Sequence, residues 1–257
     1  MTRPAPRSQS ARPTPYHRRV MISIVMPAHN EQGYLEPAVK SVVAGIRDRE
    51  LLFELLVAEN GSIDATGEEA KSLARTYPEV RVLRAPVADY GRALKTGFLA
   101  ASGDIVINFD VDFVDLLFLD RALDLMATGD PAIVVGSKRS PGADDQRRAG
   151  RKTVTAVFSL VLRKGFGLKV TDTHGLKALR RAALLRLVET CQFGGDIFDT
   201  ELILRAERSG LTVLEVPVAV TDQRPPRTSI TRRIPRSLVG LVRLRLALRH
   251  RDPAGLG

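Results

Sequence analysis

Two aspartates, Asp110 and Asp112, follow directly on the apolar run Ile105-Val106-Ile107-Asn108-Phe109. The run has the length and composition of a buried strand, and side chains two residues apart on a strand share a face. Both carboxylates are then expected to point the same way at the strand's carboxyl edge, where open α/β sheets hold ligands. Like charges so placed repel unless a cation lies between them. A divalent ion, Mg²⁺ or Mn²⁺, carrying the diphosphate of a nucleotide meets that need. The plainer alternative is that one aspartate caps the next helix while the other is solvated.

Three further loops leave strand-like runs with unusual polar sets. In Met26-Pro27-Ala28-His29-Asn30-Glu31 the proline is expected to stop the strand, Asn30 to cap the next helix, and Glu31 to suit its dipole. The same residues could form a nucleoside-binding edge with Glu31 accepting from a base or ribose. In Glu59-Asn60-Gly61-Ser62-Ile63-Asp64-Ala65-Thr66, Gly61 permits a tight turn and Asp64 can cap a helix. Glu59, a carboxylate leaving an apolar strand, could accept a nucleobase N–H. Asp89-Tyr90-Gly91-Arg92 opens a helix beside the two aspartates in a parallel arrangement. No GxxxxGK[ST] loop occurs, and no G-x-G-x-x-G follows the first strand, which disfavours P-loop and dinucleotide-binding domains. A fourth loop, Gly136-Ser137-Lys138-Arg139, with Arg147, Arg148, Arg151 and Lys152 downstream, supplies cations that could neutralise phosphate, or could simply be solvated.

The elements that must position these loops alternate. Strands are expected at Val20–Met26, Phe53–Ala58, Val80–Leu83, Asp104–Phe109 and Ala132–Gly136, with helices near Leu35–Arg47, Ala65–Thr76, Arg92–Ala101 and Leu116–Ala127. This order predicts an α/β fold: a mostly parallel central sheet with helices on both faces. From about residue 146 the pattern changes to a long helix reaching about 164, a short Thr/Gly-rich piece and two helices. The strand Val213–Val220 follows, with Pro217 marking an edge position. A last helix, Ile234–Arg251, carries Pro235 at its expected start and interleaves leucines and valines with arginines. It suits an interfacial helix whose arginines meet anionic headgroups, or equally a helix packed on the domain with a solvated arginine face.

The net charge of +10 is unevenly spread: residues 1–20 hold five arginines and residues 224–251 nine, with no acid in either stretch. With Asp252 set aside, residues 21–223 carry a net charge of −3. Basic ends imply an anionic partner. Tryptophan is absent and aromatics make up 5%, so a base-stacking platform has little support and no nucleic-acid partner is expected. The single Cys191 excludes an internal disulfide and suits a reducing compartment. No apolar run approaches a membrane span, and the first 20 residues lack a signal-peptide core. The expected division is a disordered basic arm at 1–18, an α/β domain at 19–230, and a basic amphipathic helix and tail at 231–257.

Taken together, the loops resemble the inverting nucleotide-sugar glycosyltransferases of family 2. Pro27-Ala28-His29-Asn30-Glu31 is similar to that family's P-A-x-N-E opening, and Glu59-Asn60-Gly61-Ser62 with Asp64 and Thr66 to its D-D-G-S-x-D-x-T. Ala93-Leu94-Lys95-Thr96-Gly97 resembles the helix before its D-x-D, for which Asp110-Val111-Asp112 stands. Gly136-Ser137-Lys138, Val170-Thr171-Asp172-Thr173-His174-Gly175-Leu176-Lys177, Asp199-Thr200-Glu201 and Glu215-Val216-Pro217-Val218 narrow the resemblance to the dolichyl- and polyprenyl-phosphate sugar synthases.

The resemblance implies a GT-A fold and a hexosyltransferase moving a sugar from a GDP-mannose- or UDP-glucose-type donor to a lipid phosphate. It implies nucleotide-sugar binding by Pro27, Ala28, Asn30, Glu31, Glu59, Asn60, Gly61, Ser62, Asp89, Tyr90 and Asp110. It implies Mg²⁺ or Mn²⁺ on Asp110 and Asp112, and a catalytic set of Asp112, Lys138, Arg151 and Asp172. The expected location is cytoplasmic, or peripheral on the inner face of the cell membrane, with the C-terminal helix on an anionic surface. Three positions depart from the pattern: Val114 where the subfamily has a metal-ligating Gln, Lys138 for an Arg, and Glu59 for an Asp. Three rivals stand beside this reading, the last of them nucleic-acid binding through the basic ends, which the absence of a reader motif in the body ranks below the other two. The first is the same donor chemistry with a soluble hydroxyl acceptor, for which Asp172, Asp196 or Asp199 could act as base. The second is an inactive scaffold used for binding. His174 has no assigned role.

Overall fold

The computed structural model describes residues 20–147, 149–221 and 230–249; for 149, 151, 230–237 and 249 only the backbone is described. The expected arm at 1–18 and the tail beyond 249 lie outside these residues.

The chain opens with β1 (Met21–Ala28), α1 (Leu35–Arg47), β2 (Leu52–Asn60), α2 (Thr66–Thr76), β3 (Val80–Ala85), α3 (Tyr90–Ala100), β4 (Ile105–Asn108), α4 (Leu116–Thr128) and β5 (Ile133–Ser137). It continues with β6 (Asp144–Asp145), α5 (Ala149–Phe166), β7 (Lys177–Arg180), α6 (Arg181–Thr190), α7 (Ile197–Arg208), β8 (Val213–Pro217), β9 (Ala219–Val220) and α8 (Ile230–Arg249). Seven strands form one sheet in the order β3-β2-β1-β4-β7-β5-β8, and β6 pairs with β9 in a small ribbon. Within the large sheet every pairing is parallel except those of β7, which runs antiparallel between β4 and β5.

Alternation along the strands explains why helices cover both faces. Ile22, Ile24 and Met26 of β1, Leu55 and Val57 of β2, and Ile105 and Ile107 of β4 enter one core with α1, α2 and α4. Val25, Leu56 and Val106 point the other way, into a second core with α3, α6 and α7. α1 buries Leu35, Ala38, Val39, Val42, Val43 and Ile46, the one-stripe spacing of a surface helix.

Four details differ from the sequence-based expectation. Pro27 does not stop β1, which runs to Ala28. Val25 accepts from Phe109 on the β4 side, so Pro27, two residues on, faces that same side where β4 has already ended, and its missing N–H breaks no ladder bond. β7 is a strand in the piece expected to carry none. α8 starts at Ile230, so Pro235 lies inside the helix. Asn30 does not cap α1, whose N-cap is Tyr34 with no side-chain cap. Pro217 ends β8, an edge strand as expected.

Candidate active site

The sheet's strand order reverses around β1, with β2 and β3 on one side and β4 on the other. In parallel sheets the carboxyl end of such a point is an open crevice. The five chemistry-bearing loops, those after β1, β2, β3, β4 and β5, all leave the sheet at that carboxyl edge.

The β1 and β2 loops are stitched into one surface. Asn30 takes a left-handed backbone (φ 53°), and its Oδ1 accepts from the Ile63 N–H at 2.9 Å while its own N–H donates to the Ser62 hydroxyl at 3.1 Å. The Glu31 N–H donates to the Thr66 hydroxyl at 2.7 Å. Asp64 accepts from the N–H groups of Thr66 at 3.0 Å and Gln32 at 3.3 Å. Asn60 is buried; its amide donates to the Ala28 carbonyl at 3.0 Å and accepts from the Asp89 N–H at 3.1 Å, binding three loops together. The polar residues of both motifs thus set backbone shape. Gly61 completes it at φ +65°, where a Cβ would meet the backbone nitrogen of Ala88 at 2.9 Å.

Glu59 is buried and engaged: the Ser62 N–H donates to it at 2.7 Å and Arg84 Nε at 3.2 Å. Burial alone would push its carboxyl up, but the Ser62 hydrogen bonds and Arg84 outweigh it and hold the group below its ordinary range. Asp89 caps α3 by accepting from the Arg92 N–H at 2.9 Å and also accepts from the Gly195 N–H at 2.7 Å, joining the first three loops to the start of α7.

Strand β4 ends at Asn108, two residues short of Asp110. Asp110 and Phe113 close a tight turn, the Phe113 N–H donating to the Asp110 carbonyl at 2.9 Å, with Asp112 exposed at its tip. The two carboxylates are therefore neighbours through a turn, not through strand alternation. Asp110 accepts from the Tyr90 hydroxyl at 3.2 Å. Burial pushes its carboxyl up to about 6, and the charges of Asp112 and Asp199 add to the shift. The Tyr90 hydroxyl is pushed up by burial, then by Asp110 and Asp199. Lys177 and Lys138 act against the shift without cancelling it, and two carboxylates close together at an open edge fit a divalent cation. Among the described residues no group of three or more His, Cys, Asp or Glu side chains is arranged to hold a metal. An ion here would rest on Asp110 and Asp112 with ligand oxygens and water, the donor set Mg²⁺ tolerates. Val114, on the position of the expected third ligand, packs against the core instead.

On the opposite wall, Lys138 Nζ lies 3.9 Å from Asp172 Oδ2. Asp172 also accepts from the His174 N–H at 3.0 Å. Burial works against its charge, but Lys138 and His174 outweigh it and lower the group. Glu215 of β8 holds the loop, its Oε1 accepting from the N–H groups of Thr171 at 2.9 Å and Asp172 at 3.1 Å. Gly175 passes so close to the Gly136 carbonyl that no side chain fits. His174 is engaged at both ring nitrogens, with the Thr173 hydroxyl at 3.0 Å and the Asp196 carbonyl at 2.8 Å. The side chain of Arg151 lies outside the described residues.

A buried pair completes the floor. Antiparallel β7 begins at Lys177, registered with Asn108 of β4 and Val135 of β5, so a lysine enters the sheet at its carboxyl edge. Its ammonium donates to the Gly175 carbonyl at 2.8 Å and meets Asp199 of α7. The sequence offers Asp199 as part of a motif and as a possible base, and Lys177 only as part of a motif; a fully buried lysine leaves no mark in a sequence.

Residues 23–188 match the family model described as Glycosyl transferase family 2. The chain is 30% identical over 204 residues to the Haloferax volcanii protein named Glycosyltransferase AglD, covering 77% of this chain and 33% of that one. It is 30% identical over 210 residues to an undecaprenyl-phosphate mannosyltransferase of Micrococcus luteus, covering 77% and 83%. It is 28% identical over 212 residues to a dolichyl-phosphate beta-glucosyltransferase of Trichomonas vaginalis, covering 77% and 65%. The chain thus spans about a third of the length of the first of these relatives and just under two thirds of the last. Among solved structures, glucosyl-3-phosphoglycerate synthase of Mycobacterium tuberculosis with Mn²⁺, UDP and glucosyl-3-phosphoglycerate is similar at TM-score 0.64 and 25% identity, covering 93% of this chain and 83% of that one.

Proposed function

The chain belongs to glycosyl transferase family 2 and carries its GT-A fold, and we propose that it transfers a sugar, with inversion, from a GDP-mannose- or UDP-glucose-type donor to a polyprenyl or dolichyl phosphate. The named relatives from Micrococcus luteus and Trichomonas vaginalis use lipid phosphates, which supports the acceptor class.

The observation that carries the reading is the commitment of the carboxylates. A hydroxyl acceptor needs a general base at the anomeric carbon. Of the three candidate bases, Asp172 is held ionised and weakly basic beside Lys138 and Asp199 is paired with Lys177, which leaves Asp196, the half-buried N-cap of α7, as the one a hydroxyl acceptor would have to use. A phosphate acceptor arrives as an anionic nucleophile and needs a cation instead, which Lys138 supplies. Arg151, at the start of α5, is a second candidate for that clamp.

The donor's base and ribose would lie on the stitched β1–β2 surface, against Pro27, Ala28, Asn30, Glu31 and Ser62. Glu59, Asn60 and Gly61 keep that surface in shape, and Asp89 and Tyr90 close its inner side. Asp110 and Asp112 would hold Mg²⁺ or Mn²⁺, which when bound supplies a Lewis acid for the departing diphosphate. Tyr90 orients Asp110 through its hydroxyl.

The test is a transfer assay with GDP-mannose, UDP-glucose and UDP-N-acetylglucosamine, each radiolabelled in the sugar, and polyprenyl phosphate in detergent. Label passing into the organic phase, and lost in Asp112→Ala, is the expected result. Donor binding with slow metal-dependent hydrolysis and no organic-phase label would remove the lipid acceptor and leave the soluble-acceptor rival. No binding of any donor would favour the inactive scaffold.

A further inference from the structure

Helices α5 and α8 contain no acidic residue. Their four and six Lys and Arg residues together equal the formal net charge of +10 for the whole chain, so the remainder is neutral. The two helices touch: the Arg245 guanidinium donates to the Gly165 carbonyl at the end of α5 and lies 5.7 Å from the Phe166 ring centroid.

Each helix is anchored in the second core, α5 through Leu162 and α8 through Leu241, Leu244 and Leu248. Each also turns an apolar set outward: Val157, Leu160 and Val161 on α5, and Leu238, Val239, Val242 and Leu246 on α8, all between 38% and 60% exposed. Exposed Lys152, Arg163, Lys164, Arg243 and Arg245 flank them. Aliphatic side chains turned to solvent within a basic frame are the pattern of an interfacial helix, and here it occurs on two adjacent helices. No described helix is long and apolar enough to cross a membrane.

We propose that α5 and α8 together form one surface that docks the chain on an anionic bilayer. The charge selects the occupant. A second copy packed face to face would oppose two strongly basic surfaces, whereas anionic headgroups neutralise the cations as the acyl boundary takes up the aliphatic residues. The proposal deepens the lipid-phosphate reading and rests on it for its purpose. The inner side of α5 reaches the acceptor wall: the Ser159 hydroxyl donates to the Thr171 carbonyl at 2.7 Å, and the Phe158 ring meets His174 edge-on at 5.4 Å. One helix diameter, about 10–12 Å, then separates the bilayer face from the loop that carries Asp172.

The experiment is flotation of the full chain with vesicles of phosphatidylcholine containing one part in three phosphatidylglycerol, with no polyprenyl phosphate present. Binding is expected, with loss in pure phosphatidylcholine and in high salt. Leu160→Glu and Val242→Glu should each weaken it by about tenfold, because each places a charge where a chain meets the acyl boundary. Circular dichroism and donor binding in the same variants serve as checks on folding. Absent binding to anionic vesicles would overturn the proposal. So would indifference to Leu160→Glu, which would reduce the anchor to α8, or a dimer disrupted by both substitutions without vesicle binding. Vesicle binding without transfer from any donor would remove the acceptor reading and leave the surface. Transfer in detergent without vesicle binding would do the reverse.

Discussion

The Lys177 ammonium and the Asp199 carboxylate stand 2.9 Å apart, with side chains 0% and 1% exposed. One comes from the antiparallel strand β7 and the other from the first turn of α7, so the pair ties the middle of the sheet to the helix layer over it. The second carboxylate oxygen of Asp199 has no hydrogen-bond partner among the described residues, and its charge reaches Asp110. A buried pair is a poor source of net stability, but losing one partner strands the other charge. Lys177→Met is expected to cost about 3–5 kcal/mol, and Lys177→Met with Asp199→Leu to recover most of it. Urea unfolding of both variants measures this; a double variant no more stable than the single one would show that the pair is not the coupled unit.

Asn60 ties three loops by two hydrogen bonds from one buried amide, to Ala28 and from Asp89. Asn60→Ala takes away the acceptor of the Asp89 N–H and the side-chain bond to the Ala28 carbonyl, and a loss of about 1–3 kcal/mol is expected. The loops it joins are the proposed nucleotide surface, so donor KM should rise more than kcat falls. Titration of the donor in the transfer assay separates the two effects. A pure kcat loss with unchanged donor affinity would put the nucleotide elsewhere.

Lys138 faces Asp172 across 3.9 Å, a distance that leaves its ammonium able to take a second anion. Lys138→Met should raise the acceptor KM by about 10- to 100-fold, the worth of one charge-assisted hydrogen bond. Metal-dependent donor hydrolysis should stay near its original rate. Lys138→Arg keeps the charge and should retain most of the activity. Equal loss of hydrolysis and transfer would move Lys138 to the donor side.

Much of this arrangement was legible beforehand because parallel strands buried on both faces read as apolar runs, and the one-stripe spacing of α1 reads as a helix. β7 leaves no strand signal because Lys177-Ala178-Leu179-Arg180 is four residues long with a charge at each end. Its lysine is neutralised by a residue 22 positions away, which no local pattern encodes. The alternation that points to Asp110 and Asp112 is a strand geometry they do not have: periodicity runs on past Asn108, but the chain turns there. For the polar residues of the first two loops, type alone suggested ligand contacts or caps. The structure gives Asn30, Asp64 and Asn60 to backbone groups of neighbouring loops, contacts that form only once β1 and β2 lie in register.

Glu54 offers a pH test that is independent of catalysis. Its Oε1 accepts from the hydroxyls of Ser23 and Ser102 and the Ser102 N–H, each at 2.7 Å, and its Oε2 accepts from Arg81 at 2.8 Å. Burial alone would push the group up, but these bonds outweigh it and the carboxyl is held below its ordinary value. A carboxyl depressed in the folded state contributes stability that is fully present above its unfolded pKa, about 4.3, and is lost as pH falls through the folded value. Glu54→Gln removes that contribution and, with its oxygen kept on the three donors at Oε1, turns its NH2 toward the Arg81 guanidinium, so a loss on the order of 2–3 kcal/mol is expected at pH 7. Because Glu59 and Asp172 are depressed in both proteins, their acid sensitivity cancels in the difference. The gap between the two proteins should therefore be full at pH 7 and narrow steadily once the pH drops below about 4. Urea midpoints across that range, on wild type and variant together, give the curve; a gap independent of pH would mean that shape, not the charge of Glu54, holds Ser23 and Ser102 in place.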